Sequence, residues 1–266
     1  VISNVCDFCN ERAIGVLPSD IQSQRTLLFV GAGCSAFVGY PRWERLVNML
    51  CAKFAPTLEL TGDYLTDAQT LRRAIPAKRT RDYYQFLRDT FGPLGGSRGY
   101  DRFHELLCSL PVCGVVTTNY DSVMERAIAG STGCSVDYTD LCNTENYRYR
   151  LLPQLRRFAT HDPRRDRLQD VLHLHGYFDY PPGILLTRDD YKKYYGPVKV
   201  KDELGQASDG VLDTLHRKVA WSLLTNYHVL FAGFSLSDPY FTEVLDIAKT
   251  DLDLGDRRAH TALVGL

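Results

Sequence analysis

Thr26-Leu27-Leu28-Phe29-Val30 running into Gly31-Ala32-Gly33-Cys34-Ser35 is the stretch on which the fold turns. Five apolar or β-branched residues with no polar alternation read as a strand buried on both faces. The glycines end it, and Trp43, Leu46, Val47, Leu50 and Phe54 then recur at helical spacing. A strand, a glycine turn and a helix make the first half of a βαβ unit.

The same grammar repeats along the chain. A strand over 112–116 runs into Thr117-Thr118-Asn119-Tyr120-Asp121, with a helix starting near Asp121 and Ser122 and Glu125 placed for a capping box. A strand over 171–174 carries His173-Leu174-His175-Gly176. His228-Val229-Leu230-Phe231-Ala232 runs into Gly233-Phe234-Ser235, followed by Asp238-Pro239 as a helix cap and first-turn proline. A further strand starts near Thr261, and Gly183 to Thr187 reads as another. Val211, Leu212, Leu215, Val219 and Leu223 predict a helix, as do the first twenty-odd residues. The stretch 131–169 is polar and irregular. Strands alternating with helices predict an α/β fold, a doubly wound, Rossmann-like parallel sheet. Helical patterns over about 55–110, with Phe103, Leu106, Leu107 and Leu110 on one face, predict a helical insertion. The chain reads as one domain, 1–266. It lacks an initial Met and ends in a predicted strand, so it is expected to be part of a longer protein.

Composition narrows the class. With 266 residues and 44 % apolar content the chain can bury a real core, and its net charge of −1 argues against a nucleic-acid or membrane surface. No apolar run approaches the roughly 20 residues that span a bilayer, and no signal peptide is visible. A cytoplasmic protein is expected. All eight cysteines precede residue 143. Cys6-x-x-Cys9 is the one tight pair, and a zinc ribbon needs two. Free thiols in a reducing compartment are the expectation, with half of a metal site completed elsewhere as the other reading. The pairs Arg156-Arg157 and Arg164-Arg165 read as solvated faces or as phosphate ligands.

In open α/β sheets, ligands bind at the carboxyl ends of strands. Gly31-x-Gly33-x-x-Ala36 has the context of a dinucleotide fingerprint, in which glycines let backbone approach a pyrophosphate. A tight turn without ligand would use the same residues, and the usual acidic ribose ligand about twenty residues on is absent. Asn119 and Asp121 each have a capping alternative. His173 and His175 alternate, so they are expected on one face of a strand, His175 at its end and His173 deeper and structural. Gly233 and Ser235 fit either a nucleotide contact or a plain turn. A glycine loop, an amide and an imidazole at neighbouring strand ends point to a nucleotide site with chemistry attached.

Taken in order, five segments resemble the signatures of the SIR2-like family. They are Gly-Ala-Gly-Cys-Ser at 31–35 with Gly39, Pro41 and Trp43 after it, Thr-Thr-Asn-Tyr-Asp at 117–121, His-Leu-His-Gly at 173–176, Ile-Leu-Leu-Thr-Arg-Asp-Asp-Tyr at 184–191, and Gly-Phe-Ser-Leu-Ser-Asp-Pro at 233–239. Within that family the chain is similar to the SIR2-like domains of bacterial anti-phage systems. It lacks the zinc ribbon that the protein deacylases insert after the His-Gly motif. The resemblance implies NAD⁺ as substrate, cleavage of the nicotinamide–ribose bond, no metal, and Asn119 with His175 as the catalytic pair. It implies Gly31, Ala32, Gly33 and Ser35 along the pyrophosphate, Gly233 and Ser235 toward the adenosine, and Thr118 and Asp121 near the substrate. It further implies a homo-oligomer controlled by a sensor segment or separate activator. The rival readings are a non-catalytic module that binds NAD⁺ or ADP-ribose, and an NAD-dependent protein deacylase.

Overall fold

The computed structural model describes residues 25–94, 99–143, 170–196, 214–235, 238–253 and 260–263, with isolated positions at 15, 17–19, 21–22, 153 and 155–156. Cys6, Cys9, Arg157, Arg164, Arg165, Val211 and Leu212, with most of the expected first helix, lie outside them.

Among the described residues, six strands form one sheet with every pairing parallel: β1 (Thr26–Val30), β2 (Gly114–Thr117), β3 (Asp137–Asp140), β4 (Asp170–His173), β5 (His228–Ala232) and β6 (His260–Leu263). Their spatial order is β3-β4-β2-β1-β5-β6. On one side of β1 the chain adds β2, then β3 at the edge, then β4 between them, before crossing back to build β5 and β6 on the other side. The order therefore reverses between β1 and β5, which is the switch point where such sheets open a crevice. The register puts Val30, Thr117, His173 and Ala232 in one row at the carboxyl ends. Every expected site segment starts just past that row.

The helices are α1 (Ala32–Ala36), α2 (Trp43–Phe54), α3 (Tyr64–Ala74), α4 (Thr80–Phe91), α5 (Arg102–Cys108), α6 (Val123–Thr132), α7 (Arg188–Tyr195), α8 (Leu215–Asn226) and α9 (Pro239–Asp251). Alternation along the strands divides the core. Leu27, Phe29, Val116, Leu172, Val229 and Phe231 face α8 and α9, meeting Ala220, Leu224, Phe241 and Val244. Leu28, Val30, Val115, Val171 and Leu230 face the other way, onto Leu107 of α5 and Met124 and Ile128 of α6. The Phe29 ring lies 4.8–5.1 Å from those of Phe231, Phe234 and Phe241. Truncating such a residue costs about 3–5 kcal/mol. A third cluster joins Leu46, Leu50, Leu71, Tyr83, Leu87 and Phe91 of α2, α3 and α4 to Tyr120, Val123, Ile184 and Leu186. The helices between α2 and β2 are thus packed onto the segments that follow β2 and β4.

Four expectations differ from the structure. Gly183 to Thr187 is not a strand: a 3₁₀ turn at Pro181–Gly183 leads into extended backbone. β4 already has β2 and β3 on its two sides, so the segment joins no strand; its Leu185 N–H donates to the His175 carbonyl at 2.9 Å and its Leu185 carbonyl accepts the Tyr120 hydroxyl. The capping box at Ser122 and Glu125 does not form. Asp121 instead accepts the Val123 amide at 3.0 Å, and Glu125 turns inward to His173. Leu106 is 50 % exposed, so the apolar face expected of α5 is narrower than its spacing implied. Finally, β3 lies inside the stretch read as irregular. Its sequence Asp-Tyr-Thr-Asp is half-exposed and polar, so it carries no apolar signal.

Candidate functional site

The turn after β1 and the turn after β5 are packed backbone to backbone. The Gly31 amide donates to the Ala232 carbonyl and the Gly33 amide to the Gly233 carbonyl, both at 2.9 Å. A Cβ on Gly31 would stand 2.5 Å from the Gly233 oxygen, and one on Gly33 would stand 2.8 Å from it. Gly233 itself has φ +61°, and its own Cβ would meet the Cys34 nitrogen at 2.5 Å. Steric exclusion alone therefore requires these glycines. The Gly31 and Gly33 amides are thus both engaged by the neighbouring turn. Ala32 is half-buried, Cys34 and Ser35 are buried, and burial pushes the Cys34 thiol up to about 12, so it stays protonated.

Asn119 is built into the same turn. Its side-chain Nδ2 donates to the Gly31 carbonyl at 3.1 Å and to Ser35 Oγ at 2.9 Å. Its backbone amide donates to Thr117 Oγ1, which donates to the Val30 carbonyl at 2.8 Å. Both amide protons are therefore used, and the carboxamide cannot flip without losing both bonds. Oδ1 is buried and has no hydrogen-bond partner among the described residues. Asp121 is buried beside it, also in contact with Ser35, and burial raises its carboxyl to about 6. Thr118 is half-buried between Thr117 and Asn119.

His173 and His175 part company, contrary to the expected common face. β4 ends at His173, and the bend after it turns His175 onto different elements. His173 is fully buried. Its Nδ1 donates to the Asn119 carbonyl at 2.9 Å, since a carbonyl only accepts, and Nε2 meets Glu125 Oε1 at 2.7 Å. Burial pulls this imidazole's pKa down, but the Glu125 carboxylate outweighs it and holds the pKa above the ordinary value. Glu125 and His173 thus clamp the backbone of Asn119 from below.

His175 sits among α7, α8 and the cap of α9. Nε2 lies 2.9 Å from Tyr195 Oη and Nδ1 3.4 Å from Tyr191 Oη, with Asp238 Oδ2 3.9 Å from Nε2. Burial lowers its pKa to about 3, so the ring is neutral at neutral pH. His216 of α8 is likewise lowered to about 3, by burial and by His175, and its Nε2 lies 3.4 Å from Cys142 Sγ. Cys142 is pushed well above the ordinary thiol range by burial, so this is a pair of neutral groups.

The structure therefore brings Gly31, Gly33, Ser35, Asn119, Asp121 and Gly233 into one network. His175 stands in a second, joined to the first through β4. Ser235 lies exposed past the Gly233 turn. Among the described residues, no group of three or more His, Cys, Asp or Glu side chains could hold a metal ion. Tyr191 closes the 184–191 signature and Tyr195 has no signal of its own beyond the spacing of four, which puts the two on one helix face. Asp238 was read as a cap, which it is, accepting from the Tyr240 and Phe241 amides. Its second role, beside His175, has no local signal.

The family model described as "SIR2-like domain" matches residues 114–265. A protein named NAD(+) hydrolase ThsA from Bacillus cereus (strain MSX-D12) is 26 % identical over 248 residues, covering 92 % of this chain and 44 % of its own length. A protein of the same name from Enterococcus faecium is 28 % identical over 225 residues, covering 85 % of this chain and 40 % of its own. A third, from Acinetobacter baumannii (strain 532279), is 23 % identical over 239 residues, 90 % of this chain and 42 % of its own. The chain thus spans less than half the length of these relatives. It belongs to the SIR2-like domain family.

Proposed function

We propose that this domain is an NAD⁺ glycohydrolase that breaks the nicotinamide–ribose bond, with Asn119 and His175 as its catalytic pair. The observation that carries the reading is the Asn119 carboxamide. Its two N–H groups are spent on the glycine turn, and its Oδ1 remains as a buried, fixed acceptor with no partner among the described residues, beside the carboxyl end of β1. An acceptor so placed suits a ribose hydroxyl or the attacking water. The names of the relatives support the same substrate.

The chemistry asks little of the protein in acid strength. As the C1′–N bond breaks, its electron pair neutralises the pyridinium ring, so nicotinamide leaves uncharged. The ribose carbon develops oxocarbenium character. Water bonds to C1′ and becomes strongly acidic as it does so. A weak base that is never protonated beforehand is then sufficient, and neutral His175 has that form. Asn119 Oδ1 orients the ribose or the water, and His175 takes the proton. Asp121 supports the nicotinamide end, Thr118 contacts the same substrate, the 31–35 turn lies along the pyrophosphate, and Gly233 and Ser235 lie toward the adenosine.

We place the domain in the cytoplasm as the effector of an anti-phage system that depletes NAD⁺. No helix among the described residues is long and apolar enough to cross a membrane. A constitutive NAD⁺ hydrolase would kill its host, so activity is gated by homo-oligomerisation or by a sensor segment or activator. The test is nicotinamide and ADP-ribose release by the purified chain, alone and fused to an inducible oligomer. Equimolar products, faster when clustered, are expected. They should be lost in Asn119→Asp and His175→Gln, which keep the buried volume that alanine would remove. Binding of NAD⁺ without release, alone and clustered, refutes the hydrolase. Nicotinamide release only with an acyl-lysine peptide present would make it a deacylase.

A further inference from the structure

Four hydrogen bonds hold Asn119. Its Nδ2 donates to the Gly31 carbonyl and to Ser35 Oγ, its main-chain N–H donates to Thr117 Oγ1 at 3.0 Å, and its main-chain carbonyl accepts from His173 Nδ1 at 2.9 Å. The last is the one whose donor can lose its hydrogen. On the other side of the same ring, Nε2 lies 2.7 Å from Glu125 Oε1, and Glu125 Oε2 is buried with no partner among the described residues. The wholly buried imidazole thus spends one nitrogen on a carbonyl and the other on a carboxyl. Asp140 of β3 pairs with His173 in register, and Asp121 stands in the turn after β2; they accept the Cys142 and Val123 amides. Tyr138 of β3 and Tyr177 after β4 complete the surroundings, with ring centroids 6.3 and 4.5 Å from the imidazole.

A neutral imidazole has one N–H. While the pair holds a second proton, on Nε2 or on Glu125, both contacts of the ring are attractive. Once that proton leaves, the remaining hydrogen must serve either the Glu125 carboxylate or the Asn119 carbonyl. A hydrogen bond to an ionised acceptor is roughly twice as strong as one to a neutral acceptor, so the hydrogen goes to Nε2. The Nδ1 lone pair then opposes the Asn119 carbonyl, acceptor against acceptor. We propose that Glu125 and His173 are positioning residues for NAD⁺ cleavage, which clamp Asn119 only while the pair holds its second proton. Burial alone would lower the pKa of His173, but Glu125, the Asn119 carbonyl and Asp140 together raise it above the ordinary value. The clamp is therefore complete below that ordinary value and is lost as pH rises through the raised one. The kinetic consequence rests on the NAD⁺-cleavage reading; the placement of the protons does not.

The experiment pairs long-range ¹H–¹⁵N spectroscopy of the ¹⁵N-histidine-labelled chain with NAD⁺ turnover, both from about pH 6 to about pH 10. The His173 signals are identified by their loss in the double variant Glu125→Gln with His173→Asn. In the wild type, Nδ1 should carry hydrogen at neutral pH and lose it in alkali, and kcat should fall on the order of tenfold over the same interval with KM nearly constant. In Glu125→Gln the carboxamide can donate to Nε2, so Nδ1–H should persist throughout. Its kcat should start about fivefold lower and stay flat. In the same Gln background, His173→Asn returns an N–H near the place of Nδ1–H. It should turn over about tenfold faster than His173→Leu. An Nδ1 without hydrogen at neutral pH overturns the proposal. So does a wild-type kcat flat to about pH 10, an alkaline fall retained in Glu125→Gln, or equal rates for the Asn and Leu variants. If the protons move as stated and no form cleaves NAD⁺, the hydrolase reading falls, and with it the kinetic role of the clamp, while the proton assignment stands.

Discussion

Asn119 Nδ2 and Ser35 Oγ, 84 positions apart in sequence, are 2.9 Å apart in the fold. That one hydrogen bond ties the turn after β1 to the turn after β2. It also explains why Ser35 is buried in a segment where a ligand-facing hydroxyl was expected.

Ser35→Ala should therefore act through Asn119. Losing one neutral hydrogen bond costs about 1 kcal/mol, roughly a fivefold effect, if Asn119 stays in place on Gly31 alone. A larger loss follows if the carboxamide turns. NAD⁺ turnover in Ser35→Ala should fall by about five- to fiftyfold, with an unfolding midpoint within a few degrees of wild type. Unchanged kcat and KM would separate Ser35 from the chemistry.

Gly233→Ala should be strongly destabilising. The residue sits at φ +61°, and the new Cβ would press on the Cys34 backbone at 2.5 Å. Strain and displacement together should cost about 2–4 kcal/mol. Thermal unfolding should show a midpoint lowered by several degrees.

Arg217→Met should destabilise more than Glu243→Gln. Arg217 is 1 % exposed and carries both the Tyr195 carbonyl and the Glu243 carboxylate. Removing it leaves a poorly solvated carboxylate without this cation, a loss of about 3–5 kcal/mol. Neutralising Glu243 instead leaves the guanidinium its carbonyl. Equal denaturant midpoints for the two variants would contradict this.

Acid stability should respond with opposite signs to two buried groups. His216 has a folded pKa of about 3 against an ordinary 6.5, so between those values the unfolded chain binds more protons. Its contribution is fully present above 6.5 and is lost as pH falls toward 3. Asp140 is raised from 3.8 to about 6 by burial. There the folded state binds more protons, and stability is lost as pH rises through that window. Relative to wild type, His216→Gln should raise stability at pH 5 against pH 7, and Asp140→Asn should lower it. Each effect should be about 1–2 kcal/mol by urea denaturation. Shifts of the same sign in both variants would refute the assignment.

The local half of this protein was legible from its residues. After their polar first residues, Thr26 and His228, the strands to Val30 and Ala232 are apolar, a pattern that marks strands covered on both faces, and they are the paired strands at the switch point. Asp238-Pro239 and the helix at 43–54 were equally local, because caps and helical periodicity act within one or two turns. Asn119 and His175 could be singled out because each closes a strand. Their surroundings could not. That the Gly31 and Gly33 amides are taken by the Ala232 and Gly233 carbonyls depends on β1 and β5 being neighbours, a relation between segments some two hundred residues apart. The parting of His173 from His175 depends on where β4 stops pairing. The tyrosines of α7 reach His175 only because the helices that follow the sheet are stacked over its carboxyl end. Residue types and spacing set strands, turns and candidate chemistry, since those rest on short-range sterics and burial. That both nitrogens of His175 meet tyrosine hydroxyls, and that Asn119 Oδ1 has no hydrogen-bond partner among the described residues, were decided by packing among distant segments.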